Sequence, residues 1–215
     1  RHGSDEPGIR MALARTAWGM NNGQEARRHA EWLLERGLYV PRATMLIAET
    51  HYSEGELRYA AELLEDIRGN EDAPRFDLLK FLAKIYLEME EPEKAAKALE
   101  EARDIDGSDL FVHYRLGFIY ADRGEMKRAI SSFESAVEAN PGFAGAHMAL
   151  GSLLLHSGMR EEAKEALARA VEIDPGNRNA AMELADLYFE DDQLEEGTSV
   201  LEYLYRDQKL GEAGK

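Results

Sequence analysis

The sequence predicts an all-α protein built as a stack of about six helical hairpins. Three observations point there: the chain resembles itself at a spacing near 34 residues, apolar positions inside each repeat follow helical spacing, and helix-stopping residues recur at repeat ends. Aligning the repeats places units at 7–40, 41–75, 76–109, 110–143, 144–177 and 178–211, the second one residue longer than the others. One column reads Leu13, Ile47, Leu82, Leu116, Leu150 and Leu184. The next is small in every unit: Ala14, Ala48, Ala83, Gly117, Gly151 and Ala185. Ala26, Ala60, Ala95, Ala129, Ala163 and Gly197 form a third column. Ala30, Leu64, Leu99, Phe133, Leu167 and Leu201 follow four places later.

The fourth unit shows how each element arises. His113, Leu116, Gly117 and Tyr120 stand at i, i+3, i+4 and i+7, which is one face of a helix. Asp122-Arg123-Gly124-Glu125 makes a short turn, with Gly124 suited to a left-handed cap. Ala129, Phe133 and Ala136 then mark the inner face of a second helix. Stops follow at Asp106-Gly107-Ser108, Asn140-Pro141-Gly142 and Asp174-Pro175-Gly176, because proline cannot continue a helix and disfavours helical geometry before it. Ser108 and Asp109 are placed to cap the next helix. About twelve helices result, and strand signals are absent. The small columns let helix axes approach, Tyr120 and Phe133 fill the gaps, and stability comes from contacts summed between neighbouring hairpins.

The pattern His113-x2-Leu116-Gly117-x2-Tyr120, then Ala129-x3-Phe133, then Pro141 resembles the tetratricopeptide repeat (TPR), with His113 where that pattern has Trp. Gly151, Ala163, Leu167 and Pro175 repeat it one unit later, with Leu154 in place of the Tyr. The first unit is degenerate, having Ala17 at the Tyr position and no proline stop. The resemblance covers nearly the whole chain. It implies a right-handed α-solenoid superhelix whose first helices line a concave groove, and it implies no enzymatic activity.

Composition narrows the function further. The chain has 215 residues, 42 acidic against 26 basic, and a formal charge of −16, a balance that a nucleic-acid backbone repels. An apolar share of 44% suits a globular core. Zero cysteines exclude disulfides, thiol catalysis, Fe–S clusters and Cys-bound zinc. No apolar run approaches the roughly 18 residues of a membrane span, so no direct membrane insertion is expected. Arg1-His2-Gly3-Ser4-Asp5-Glu6 has neither initiator methionine nor apolar signal segment. It reads as a disordered cloning remnant or excised edge, residues 212–215 read as a tail, and both cytoplasm and periplasm stay open.

Nothing in the chain matches a dinucleotide fingerprint, a P-loop, a nucleophile elbow or an HExxH zinc motif. His113 and His147 share a column and are read as packing residues rather than a metal pair. The acid pairs Glu100-Glu101, Glu161-Glu162 and Asp191-Asp192 read as solvated surface, since catalytic pairs need a cleft that separates their pKa values. The expectation is a non-enzyme with no cofactor and no metal.

A second stripe on the first helix of each hairpin carries the functional signal. Its first column reads Met11, Met45, Lys80, Tyr114, Met148 and Met182, holding four of the eight methionines. Four and seven residues on stand Arg15 and Trp18, Glu49 and Tyr52, Lys84 and Leu87, Phe118 and Ala121, Ser152 and Leu155, Asp186 and Phe189. The core columns are already filled, so the stripe is surplus to hairpin packing, and the resemblance would place it on the concave surface. Methionine and aromatic side chains suit an adaptable surface for a partner's amphipathic helix or extended peptide. Lys80, Lys84 and Arg115 form a basic cluster there, either binding an acidic group of the partner or pairing with Asp77 and Asp122. The cluster is similar to part of the carboxylate clamp of chaperone-binding TPR domains. Lys84 and Arg115 stand where the clamp has asparagines, and Gly145 and Ala149 where it has Lys and Arg.

The favoured function is a protein-binding scaffold or adaptor. Alternatives are a regulatory or substrate-docking module of a larger, enzymatic protein and a self-assembling structural protein. The last helix, roughly 194–208, carries Val200, Leu201, Tyr203, Leu204 and Tyr205 and is apolar around much of its circumference, unlike a solvated cap. A symmetric homodimer through this end is the expected arrangement, with a further covering helix as the alternative.

Overall fold

The computed structural model describes the backbone of residues 6–213 and, on the last helix, side chains as far as Glu202 together with that of Leu204. Expectations for residues 1–5, 214 and 215, and for the side chains of Tyr203 and Tyr205, lie outside the described residues. The described residues form twelve α-helices and no strand, an all-α solenoid of hairpins. They are α1 (Pro7–Gly19), α2 (Gly23–Leu34), α3 (Val40–Ser53), α4 (Leu57–Ile67), α5 (Arg75–Glu88), α6 (Pro92–Ile105), α7 (Leu110–Asp122), α8 (Met126–Ala139), α9 (Ala144–His156), α10 (Arg160–Ile173), α11 (Arg178–Glu190) and α12 (Leu194–Ala213). Contacts divide the chain into a first unit, Arg1–Asp106, and a second, Gly107–Lys215, each holding three hairpins. Inside each unit every helix packs on its sequence neighbours.

The same turn closes all six hairpins. Asn21, Gly55, Glu90, Gly124, Gly158 and Asp192 fall in one repeat column, and all have left-handed φ, between 58° and 82°. The residue after each donates its N–H to the carbonyl five places back, as Glu125 does to Tyr120 at 2.8 Å and Met159 to Leu154 at 2.9 Å. This double-bonded cap satisfies the carbonyls that the first helix leaves open. Proline at the start of α1, α3 and α6 supplies a preset φ where no intrahelical donor is needed. Asn22, Asp109 and Asn177 accept backbone N–H bonds as N-caps.

Small residues set the helix spacing in the second unit. A Cβ added to Gly117 would lie 2.6 Å from a ring carbon of Phe133, and one on Gly151 would lie 2.7 Å from Leu167 Cγ. Both helix pairs, α7 with α8 and α9 with α10, therefore approach more closely than alanine would allow. His113 and His147, 7% exposed, donate from Nε2 to the carbonyls of Gly107 and Pro141 at 2.7 and 3.0 Å. Each histidine thus ties its helix to the loop before it.

Two expectations are adjusted. Leu13, aligned with core leucines, is 40% exposed because no described helix precedes α1 to cover it. The last helix runs past 208 to Ala213; on it Leu204 is buried and Val200 packs on the second unit's core, while Leu194 is 62% exposed.

Candidate functional site

Within the first unit, the stripe columns of α1 and α3 come together around a cleft of about 560 Å³. Met11 and Leu46 form its buried lining, Trp18 and Met45 its half-buried lining. Arg15, Arg42 and Asp77 contribute exposed charges, and Glu49 a half-buried one. Five expected stripe residues, Met11, Arg15, Trp18, Met45 and Glu49, therefore line one cavity. Met11 is only 7% exposed, since its thioether also completes the packing of α1 on α2 and α3. Arg42 and Asp77 were missed as candidates. They stand three residues before Met45 and Lys80, one turn up the same helix face, which was the available signal.

Burial pushes the Glu49 carboxyl above its usual range, and the Arg15 guanidinium only partly draws it back. A carboxyl with a raised folded-state pKa destabilises the folded chain while ionised, and this penalty disappears as pH falls through that pKa. Glu49→Gln should therefore raise the melting temperature at pH 7 and leave it nearly unchanged at pH 4. Scanning calorimetry at both values checks this.

The remaining stripe residues of the first unit lie outside the cleft. Tyr52 meets Phe81 edge-on with centroids 5.4 Å apart, Lys84 Nζ stands 4.5 Å over the Tyr52 ring, and the Tyr52 hydroxyl bonds to Glu88. Lys80 Nζ lies 4.9 Å from the Phe76 ring, and Leu87 is half-buried. In the second unit, Tyr114 packs edge-to-face on Phe118, Phe133 and Phe143, with centroids 5.0, 6.0 and 5.1 Å away. Phe118 stays 41% exposed on this rigid support, and Met182 is 49% exposed. Met148 and Leu155 are half-buried against the core, Phe189 folds back on Gly197, and Arg115 stands over Phe111. Burial raises the Tyr114 phenol, with Arg115 opposing.

One His–carboxylate group among the described residues has metal-ligand spacing: His51, Glu54 and Glu56. Its atoms are already engaged, His51 Nδ1 with Glu56 at 2.5 Å and Glu54 with Arg27 at 2.5 Å.

Profiles described as tetratricopeptide repeat match residues 11–74 and 80–142, and also 120–174 and 154–209. Comparison with curated proteins by sequence returned no match. Among solved structures, MamA is similar at 20% identity and a TM-score of 0.71, over 78% of this chain and 97% of that one. MamA 41-end from Desulfovibrio magneticus RS-1 is similar at 20% identity and a TM-score of 0.67, over 79% and 97%. YrrB, a TPR protein with an unusual peptide-binding site, is similar at 22% identity and a TM-score of 0.70, over 83% and 91%.

Proposed function

The chain belongs to the tetratricopeptide repeat family, and from that premise we propose that it is a non-enzymatic scaffold holding a segment of a partner protein against the stripe of its first helices. The observation that carries this reading is the aromatic platform of the second unit. Phe118 is 41% exposed although the Tyr114 and Phe133 rings pack against it, and Met182 on the same stripe is half exposed. A packed aromatic anchor, with methionines elsewhere on the same stripe, favours apolar side chains of varied shape. The peptide-binding site of YrrB adds support from a similar fold.

The test begins with a partner captured from the source organism and purified. Phe118→Glu with Met148→Glu should weaken its binding more than about tenfold, the scale of losing a buried interface anchor, while the circular-dichroism spectrum is retained. Unchanged affinity in the folded double variant would sink the assignment.

A further inference from the structure

We propose that the cleft of the first unit is a subsite for an acidic segment of a partner protein, taking one large apolar side chain flanked by carboxylates. The proposal deepens the scaffold reading and rests on it.

Charge supplies the first argument. In a chain of net charge −16, most arginines elsewhere in this unit have carboxylate partners, among them Arg27 with Glu54, Arg68 with Glu65 and Glu101, and Arg75 with Glu101; Arg58, which does not line the cleft, makes no such pair with a described residue. Arg15 and Arg42, both exposed at the cleft, make no hydrogen bond or ion pair with any described residue; Arg15 acts on Glu49 only through its field. With so many carboxylates available, two guanidinia left over at one cavity are complementary to an anion from outside. Guanidinium and carboxylate pair in a planar, two-bond geometry that an ammonium cannot reproduce.

The lining supplies the second. Met11, Met45, Leu46 and the Trp18 ring make an apolar pocket beside those cations, and about 560 Å³ lies within the range that encloses a small ligand. An aromatic or long aliphatic side chain fits this lining, and its neighbours in sequence then reach the arginines. Glu49 is half-buried in the same lining, and the Arg15 guanidinium partly offsets its charge. Asp77 is the remaining anion and, like Arg15 and Arg42, is exposed to solvent, so solvent screens all three alike.

Isothermal titration with capped nonapeptides tests the proposal on the whole chain. The probes carry a central Phe flanked by Asp, the same peptide with Asp replaced by Ser, with Asp replaced by Lys, and with Phe replaced by Ala. The Asp–Phe peptide should bind at least tenfold more tightly than each of the others, more weakly as salt rises, and with a change in Trp18 emission. Arg15→Gln with Arg42→Gln, both exposed, should remove that preference while the circular-dichroism spectrum is retained. Equal or tighter binding of the Ser or Lys peptide, or an unchanged preference in the arginine variant, overturns the proposal. If the acidic peptide fails while native-partner binding still responds to Phe118→Glu with Met148→Glu, the subsite is wrong and the scaffold reading stands.

Discussion

Phe133→Ala is expected to lower the stability of the protein by about 3–5 kcal/mol, the usual loss for emptying a buried aromatic site. Phe133 is 2% exposed and meets Gly117, Tyr114 and Phe118, so its removal leaves a hole between α7 and α8 that neither helix can close alone. The converse change, Gly117→Ala, should cost about 1–3 kcal/mol by overpacking. The new methyl would sit within 2.8 Å of three Phe133 ring carbons, and a planar ring cannot bend out of the way. Combining Gly117→Ala with Phe133→Leu should then be less damaging than the sum of the two single changes, because the branched side chain can turn from the methyl. Urea unfolding of the four proteins measures the coupling. Strict additivity would show that the contact does not set the helix spacing.

Glu65→Ala should produce the second large loss, about 2–3 kcal/mol, from a network rather than from a core volume. The Glu65 carboxylate accepts from the Tyr86 hydroxyl at 2.8 Å and from Arg68 Nη1 at 2.9 and 3.0 Å. Arg68 in turn donates to Glu101 at 2.6 Å, joining α4, α5 and α6. Burial, and then the carboxylate at its hydroxyl, push the Tyr86 phenol well above its usual range. Without Glu65 that hydroxyl stays buried with no acceptor, and Arg68 loses one of its two carboxylates. Tyr86→Phe in the same background should recover part of the loss by removing the orphaned donor. Thermal and urea unfolding of the single and double variants are the measurement. A Glu65→Ala protein as stable as the parent would mean that water or a neighbouring side chain replaces the carboxylate.

The repeat, the hairpin turns and the helix-facing columns were legible in the sequence because they are local. Gly124 needs only its own φ, and a proline stops a helix whatever lies beyond it. Gly117 and Phe133 were readable as small and large partners because both recur at fixed repeat positions. Five of the cleft's residues, Met11, Arg15, Trp18, Met45 and Glu49, were legible as stripe members for the same reason.

What the sequence by itself determined is the family, the helical-hairpin architecture and which residues share the stripe face of each first helix. Tertiary structure alone decided how members of that face are used. Met11 and Met45 occupy equivalent repeat positions, yet Met11 is buried and Met45 half-exposed, because what surrounds a side chain depends on neighbouring hairpins of unlike composition. Likewise, sequence spacing could not reveal that Arg68 finds two carboxylates while Arg15 and Arg42 find none. Periodicity assigns a residue to a helix face, but ion pairing depends on distances of a few ångströms between helices far apart in sequence, and only the packed chain sets those.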